Sequence, residues 1–196
     1  MLASKPHNVA FAWFGVIAVV VFSICWICAA AIDTTWVFGE NTLSDLGASD
    51  SDAKMYFNYG CCMVTAICLA IFGFATTTYS KSRSASAAGI ILIIAAVFLF
   101  LIGLFTKDVG TGDLHKTLAC LMGFFMFLAV CLYAGAFWNN GHEAFAAVPV
   151  IVILALIVIF ATQNLATFEA WSAVGAIPFM VVATTDLILT KPKAKI

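Results

Sequence analysis

The sequence predicts an all-α, polytopic membrane protein: a six-helix transmembrane bundle with both termini in the cytoplasm. Three observations carry this reading. Hydrophobic residues make up 64% of the 196 and charged residues 10%, against roughly 45–50% and about 25% in soluble globular domains, so lipid must solvate much of the surface. The apolar residues fall in six runs, and a bilayer core about 30 Å thick takes roughly 20 helical residues at about 1.5 Å each. The breaks between the runs alternate in charge. Lys5, then Lys81 and Arg83, then Lys191, Lys193 and Lys195 fall on one side; Asp33, Glu40, Asp45, Asp50, Asp52, Asp108, Asp113 and Glu169 collect on the other, with Lys54, Lys107 and Lys116. The positive-inside rule assigns the first side to the cytoplasm, and the acidic side has a negative field that favours cations or cationic head groups.

The first span, 10–32, is longer than the apolar region of a secretory signal and is followed by no small-residue cleavage site, so it is read as a retained helix. It carries Cys25 and Cys28. A C-x-x-C inside a helix, with no second pair and no clustered histidines, is read as apolar packing. All seven cysteines lie in predicted spans, so no disulfide framework is implied. The connection 33–54 is the longest and has its own turn chemistry. Asn41 is placed to N-cap a short turn through Leu46 that Gly47 closes, and Ser49 with Asp52 has capping-box spacing for the next helix. Leu43 and Leu46, three apart, face the bundle and fold this segment over it as a lid.

In the second span, 55–78, Asn58 sits about one turn inside. An unpaired amide facing lipid is costly, so it should point inward to Ser44, Asp45 or His115. A basic turn leads to span 87–105. The segment G-L-F-T-K-D-V-G-T-G-D-L-H, residues 103–115, then concentrates Asp108, Asp113 and His115 before span 117–138. Asp113 is placed to cap that helix, with His115 in its first turn bonded to the preceding loop. Histidine beside carboxylates is also a general acid/base constellation. One histidine with scattered carboxylates falls short of the three or four ligands of a zinc site, so neither a metal nor a cofactor is expected.

The last two spans, 145–162 and 170–189, follow a short turn in which His142 and Glu143 read as solvated. Pro149 and Pro178 interrupt these spans, and the resulting kinks are read as architectural. Asp186, the one carboxylate inside a span, lies about one turn from Lys191 and reads as snorkelling to the basic face. Gly60, Gly73, Gly103, Gly123, Gly135 and Gly175 permit close helix approach. Trp13, Trp26, Trp36, Trp138 and Trp171 lie mostly near span ends, as an interfacial belt does.

The segment N-T-L-S-D-L-G at 41–47, Asn58 and Gly60, and G-L-F-T-K-D at 103–108 followed by His115 resemble the prokaryotic membrane proteins grouped as domain of unknown function 998. The resemblance covers nearly the whole chain; the family usually has proline where this chain has Thr106. It implies a six-helix bundle, distantly similar to the eukaryotic Frag/DRAM/Sfk group, whose members are associated with lipid handling and membrane organisation. It implies no known reaction. By motif position it carries over Asn41, Ser44, Asp45, Asn58, Asp108 and His115, all at the external ends of the first four spans.

The functional expectation is a cell-membrane protein that binds a lipid head group or small amphiphile in an external polar pocket. Asp45, Asp108 and His115 would supply charge and hydrogen bonds; Asn41, Ser44 and Asn58 would shape the pocket. The alternative is an intramembrane lipid hydrolase or transferase with His115 as base and Asp45 or Asp108 orienting it, although neither a serine-nucleophile elbow nor H-E-x-x-H is present. A small transporter is disfavoured by span interiors with almost no ionisable residues and no clear inverted repeat. A structural subunit of a membrane complex completes the set. Membrane lipids are the expected partners, with a second copy or another membrane protein as further candidates. No basic cluster points to nucleic acid, and no connection is long enough for a separate soluble domain.

Overall fold

The computed structural model describes residues 9–189. Its helices are α1 (Phe14–Ile32), the short α2 (Leu43–Gly47), α3 (Ala53–Tyr79), α4 (Arg83–Leu104), α5 (Asp113–Asn139), α6 (Glu143–Thr162) and α7 (Leu165–Leu189). Six of them, 19 to 27 residues long, are apolar enough to cross a membrane. No strand occurs among the described residues. Each long helix packs on the next in chain order and α7 returns to α1, which closes a ring. The short α2 lies across one end, touching α3 and α7.

Local chemistry sets the ends of these helices. Asp33 follows α1 and closes a turn, its Oδ1 accepting from the Thr35 amide at 3.1 Å. Ser82 caps α4, its Oγ accepting from the Ala85 amide at 3.4 Å. Asn164 caps α7, with Oδ1 accepting from the Thr167 amide at 2.8 Å. That cap starts α7 five residues before the predicted 170 and draws Glu169 into the helix. Similarly, α5 begins at Asp113 instead of 117, so His115 is a helical residue. The cap of α2 shifts by one from expectation: Thr42, not Asn41, is the N-cap, with its amide and hydroxyl donating to Asp45 Oδ2 at 2.7 and 2.8 Å. Asn41 Oδ1 instead accepts from the Val37 amide at 2.8 Å. The predicted Ser49–Asp52 box does not form; Ser51 Oγ accepts from the Ala53 amide at 3.2 Å.

Two layers of core fill the ring. The half nearer the chain termini is aromatic: Phe72, Tyr133, Phe137 and Phe179 are fully buried, and the Tyr133 hydroxyl donates to Thr76 Oγ1 at 2.9 Å. In the other half Leu46 of α2 enters a cluster with Ala29, Phe57, Cys61, Cys62, Ile102 and Leu118. Aligned small residues set the α3–α4 contact. A Cβ at Gly73 would lie 2.7 Å from the Gly89 carbonyl oxygen, and one at Gly89 2.6 Å from that of Gly73. Bilayer lipid gives no hydrophobic drive between helices, so backbone proximity of this kind is what holds them together. Gly123 and Gly135, expected to do the same, have nothing within 4 Å of a built Cβ.

Gly73→Leu should therefore lower stability by about 1–3 kcal/mol, the usual effect of forcing bulk into a packed contact. Gly123→Leu should leave it unchanged. Thermal unfolding of both variants in the same detergent checks the pair.

Candidate functional site

The end crossed by α2 gathers most of the polar residues singled out from sequence. Four elements hold α2 there. From α5, buried His115 places Nε2 2.8 Å from Ser44 Oγ and Nδ1 2.8 Å from the Phe105 carbonyl oxygen. A carbonyl only accepts, so Nδ1 carries a proton, and Nε2 shares the second bond with the Ser44 hydroxyl, which donates it when the ring is neutral. The α4–α5 connection contributes Lys107, which ion-pairs with Asp45. Asn58 Nδ2 in α3 donates to the Gly47 carbonyl at 2.9 Å. Glu169 Oε2 in α7 accepts from the Leu43 amide at 3.0 Å. Gly47 permits this approach, because a Cβ there would lie 2.6 Å from Asn58 Oδ1.

Asn58 thus points inward as expected, but to a backbone carbonyl of the lid and not to Ser44, Asp45 or His115. It lies in a π-helical stretch of α3, Tyr56–Val64, where the Gly60 carbonyl accepts from the Thr65 amide and also from the Thr65 hydroxyl at 3.0 Å. Such stretches are rare and recur at functional sites. Asp108 is separate from the group that holds α2. It is exposed, and hydrogen bonds from the Thr106 side chain and its own backbone hold its carboxyl below the usual range, assisted by Lys54 and His115. No carboxylate bonds His115 among the described residues; the Phe105 carbonyl holds the position that an orienting Asp45 or Asp108 was expected to fill.

Beside α2 lies a groove of about 610 Å³ whose charged walls are Asp33, Asp45 and Asp50, with Trp36 and Asn41 between them. The Thr35 hydroxyl, and secondarily Ser49, keep the Asp33 carboxyl below its ordinary range, so this wall of the groove is anionic at neutral pH. Trp36 donates from Nε1 to the Thr42 carbonyl at 2.9 Å. Its ring meets Trp26 and Phe38, and Phe38 in turn meets Trp171, with centroids 6.1 to 6.4 Å apart along this chain. Phe38 and Trp171 are exposed. Ser44, Asn58 and His115 are not walls of the groove; they fasten α2 from behind.

At the opposite end the structure corrects two expectations. Asp186 does not snorkel: it is 4% exposed, with oxygens taking Asn140 Nδ2 at 3.0 and 3.3 Å and His142 Nδ1 at 2.5 Å. His142 is therefore not free in solvent, whereas Glu143 is exposed. A buried carboxylate with two neighbouring donors is better satisfied there than stretched toward Lys191, which lies outside the described residues. Sequence reasoning also missed Lys107 and Glu169 as holders of the lid. Lys107 did carry a signal, as one of three lysines on the acidic side. Glu169 carried none once the last helix was taken to start at 170.

The six-membered ring of apolar helices, charged only at its two ends among the described residues, defines an integral, multi-pass membrane protein of the all-α class. The chain belongs to the family described as "Protein of unknown function (DUF998)", whose model matches residues 16–190. No curated protein and no solved structure matches it.

If Glu169 fastens the lid, Glu169→Ala should speed amide exchange across residues 42–47 by about tenfold, the equivalent of one lost hydrogen bond. Exchange in α4 should not change. Hydrogen–deuterium exchange of the two proteins in one detergent gives the answer.

Proposed function

We propose that this protein binds an amphiphile at the lidded end, placing an ammonium-bearing lipid head group in the groove between Asp33, Asp45 and Asp50. The observation that carries this reading is the continuity of that groove with exposed aromatic surface: Trp36 lines it, and the ring contacts run on through Phe38 to Trp171. Carboxylates and an aromatic side chain together suit a cationic or quaternary ammonium group, and the exposed Phe38 and Trp171 suit the glycerol and upper acyl region. On this reading the basic connections and both termini lie in the cytoplasm, and the lid lies outside. Tyr133, Phe137, Phe72 and Phe179 fill the middle of the ring, so the core lends a transport path no support.

One observation favours a second reading. Ser44 and His115 stand in nucleophile and base order, with the second ring nitrogen held by a carbonyl, which is the arrangement a lipid hydrolase or transferase uses. Against it, neither residue lines the groove, and His115 is 6% exposed.

Native mass spectrometry of protein extracted from mixed-lipid nanodiscs tests both. The wild type should retain phosphatidylcholine or phosphatidylethanolamine. The double variant Asp33→Asn, Asp50→Asn should lose affinity by about tenfold, with the loss shrinking at high salt. Equal retention by wild type and double variant overturns the binding reading. Release of fatty acid by the wild type that Ser44→Ala abolishes would establish the second reading in its place.

A further inference from the structure

The end away from the lid has a groove of its own, about 610 Å³, between the α3–α4 turn, the α5–α6 turn and the last residue of α7. Its walls include Lys81, Arg83 and His142, and no carboxylate among the described residues lines it. The nearby acid is accounted for. Asp186 is buried behind the wall, and both its oxygens are taken by Asn140 and His142. Because His142 gives Nδ1 to Asp186 while lining the groove, Nε2 is the ring nitrogen left to meet a ligand. Arg83 and Ser84 are also the first residues of the 22-residue α4, where backbone N–H groups have no acceptor within the helix and the dipole is positive.

An excess of Lys and Arg on one face is common to many membrane proteins and needs no ligand. The buried anchor is not explained that way. A carboxylate 4% exposed is costly to hold in the interior, and here it fixes one imidazole at the rim between two flexible cations. A turn staple alone would not require its histidine to line a cationic groove.

We propose that this groove is a phosphate site, which takes the phosphate of an anionic lipid head group or of a free phosphate species. Arg83 makes the directional contacts, since its planar fork matches phosphate oxygens. Lys81 adds charge, and His142 adds one oriented hydrogen bond from Nε2–H when its ring is the imidazolium paired with Asp186. Asp186 and Asn140 are positioning residues that act through His142. The two ends of the bundle then recognise opposite charges.

The test uses the full chain in phosphatidylcholine nanodiscs doped with phosphatidic acid, with lipid retention read by native mass spectrometry and inorganic phosphate added as competitor. The wild type should enrich phosphatidic acid. The double variant Lys81→Gln, Arg83→Gln should lose at least about tenfold in apparent affinity with an unchanged thermal midpoint, because both residues are exposed. His142→Gln should lose affinity severalfold while Asp33→Asn, Asp50→Asn loses none, which separates this site from the one under the lid. Competition by inorganic phosphate identifies free phosphate as a sufficient ligand; enrichment that phosphate does not displace identifies the lipid head group. Wild-type protein that enriches no phosphatidic acid and binds no phosphate overturns the proposal, as does equal affinity in the Lys81/Arg83 variant.

Discussion

The seating of α2 across one end of the bundle is the constraint on which the rest of the structure depends. Five residues cannot make a stable helix alone, so α2 depends on what it packs against, apolar and polar. Leu46 satisfies the apolar side of this requirement, fully buried among residues of α1, α3, α4 and α5. The polar side is met by four contacts from different elements, through His115, Lys107, Asn58 and Glu169. Because each comes from a different part of the ring, α2 ties helices together that lipid alone would leave free to slide.

This arrangement explains which parts of the site were legible in the sequence. Apolar length and charge alternation located the six spans, and N-T-L-S-D-L-G pointed to a capped turn with two leucines facing in. The details that failed are those set by tertiary contact. Asn41 is the better cap by residue type, yet Thr42 serves because Asn41 is drawn to the Val37 amide. Asn58 had to find a partner, but the choice of the Gly47 carbonyl over Ser44 or His115 depends on where α2 comes to rest. Glu169 depended on a helix start that Asn164 moved by five residues. Asp186 was misread for a related reason: its distance along the chain from Lys191 was visible, whereas its proximity to Asn140 and His142, more than forty residues earlier, was not.

The two ends use histidine in contrasting ways. His115 is enclosed, and both its ring nitrogens are engaged inside the protein. His142 is anchored through one nitrogen and borders a groove with the other side of its ring. The aromatic layer of Phe72, Tyr133, Phe137 and Phe179 separates them. The two ends of the bundle are therefore separated by a layer of fully buried aromatic side chains.

The order of the two readings for the lidded end follows from the same seating. For an ester bond to come between Ser44 and His115, which is 6% exposed, the lid would have to rise, which means breaking the Asp45–Lys107 pair and the bonds to Asn58 and Glu169 and withdrawing Leu46 from its buried seat. Chemistry at Ser44 thus requires a second state of α2, and the family of contacts that would favour that state is absent from the closed arrangement. The acidic groove needs no such change. It is open with the lid down, and the closed lid holds in place Asp45, which forms part of its wall. Binding is the function that this arrangement of α2 already permits, and catalysis would need a ligand able to lift it.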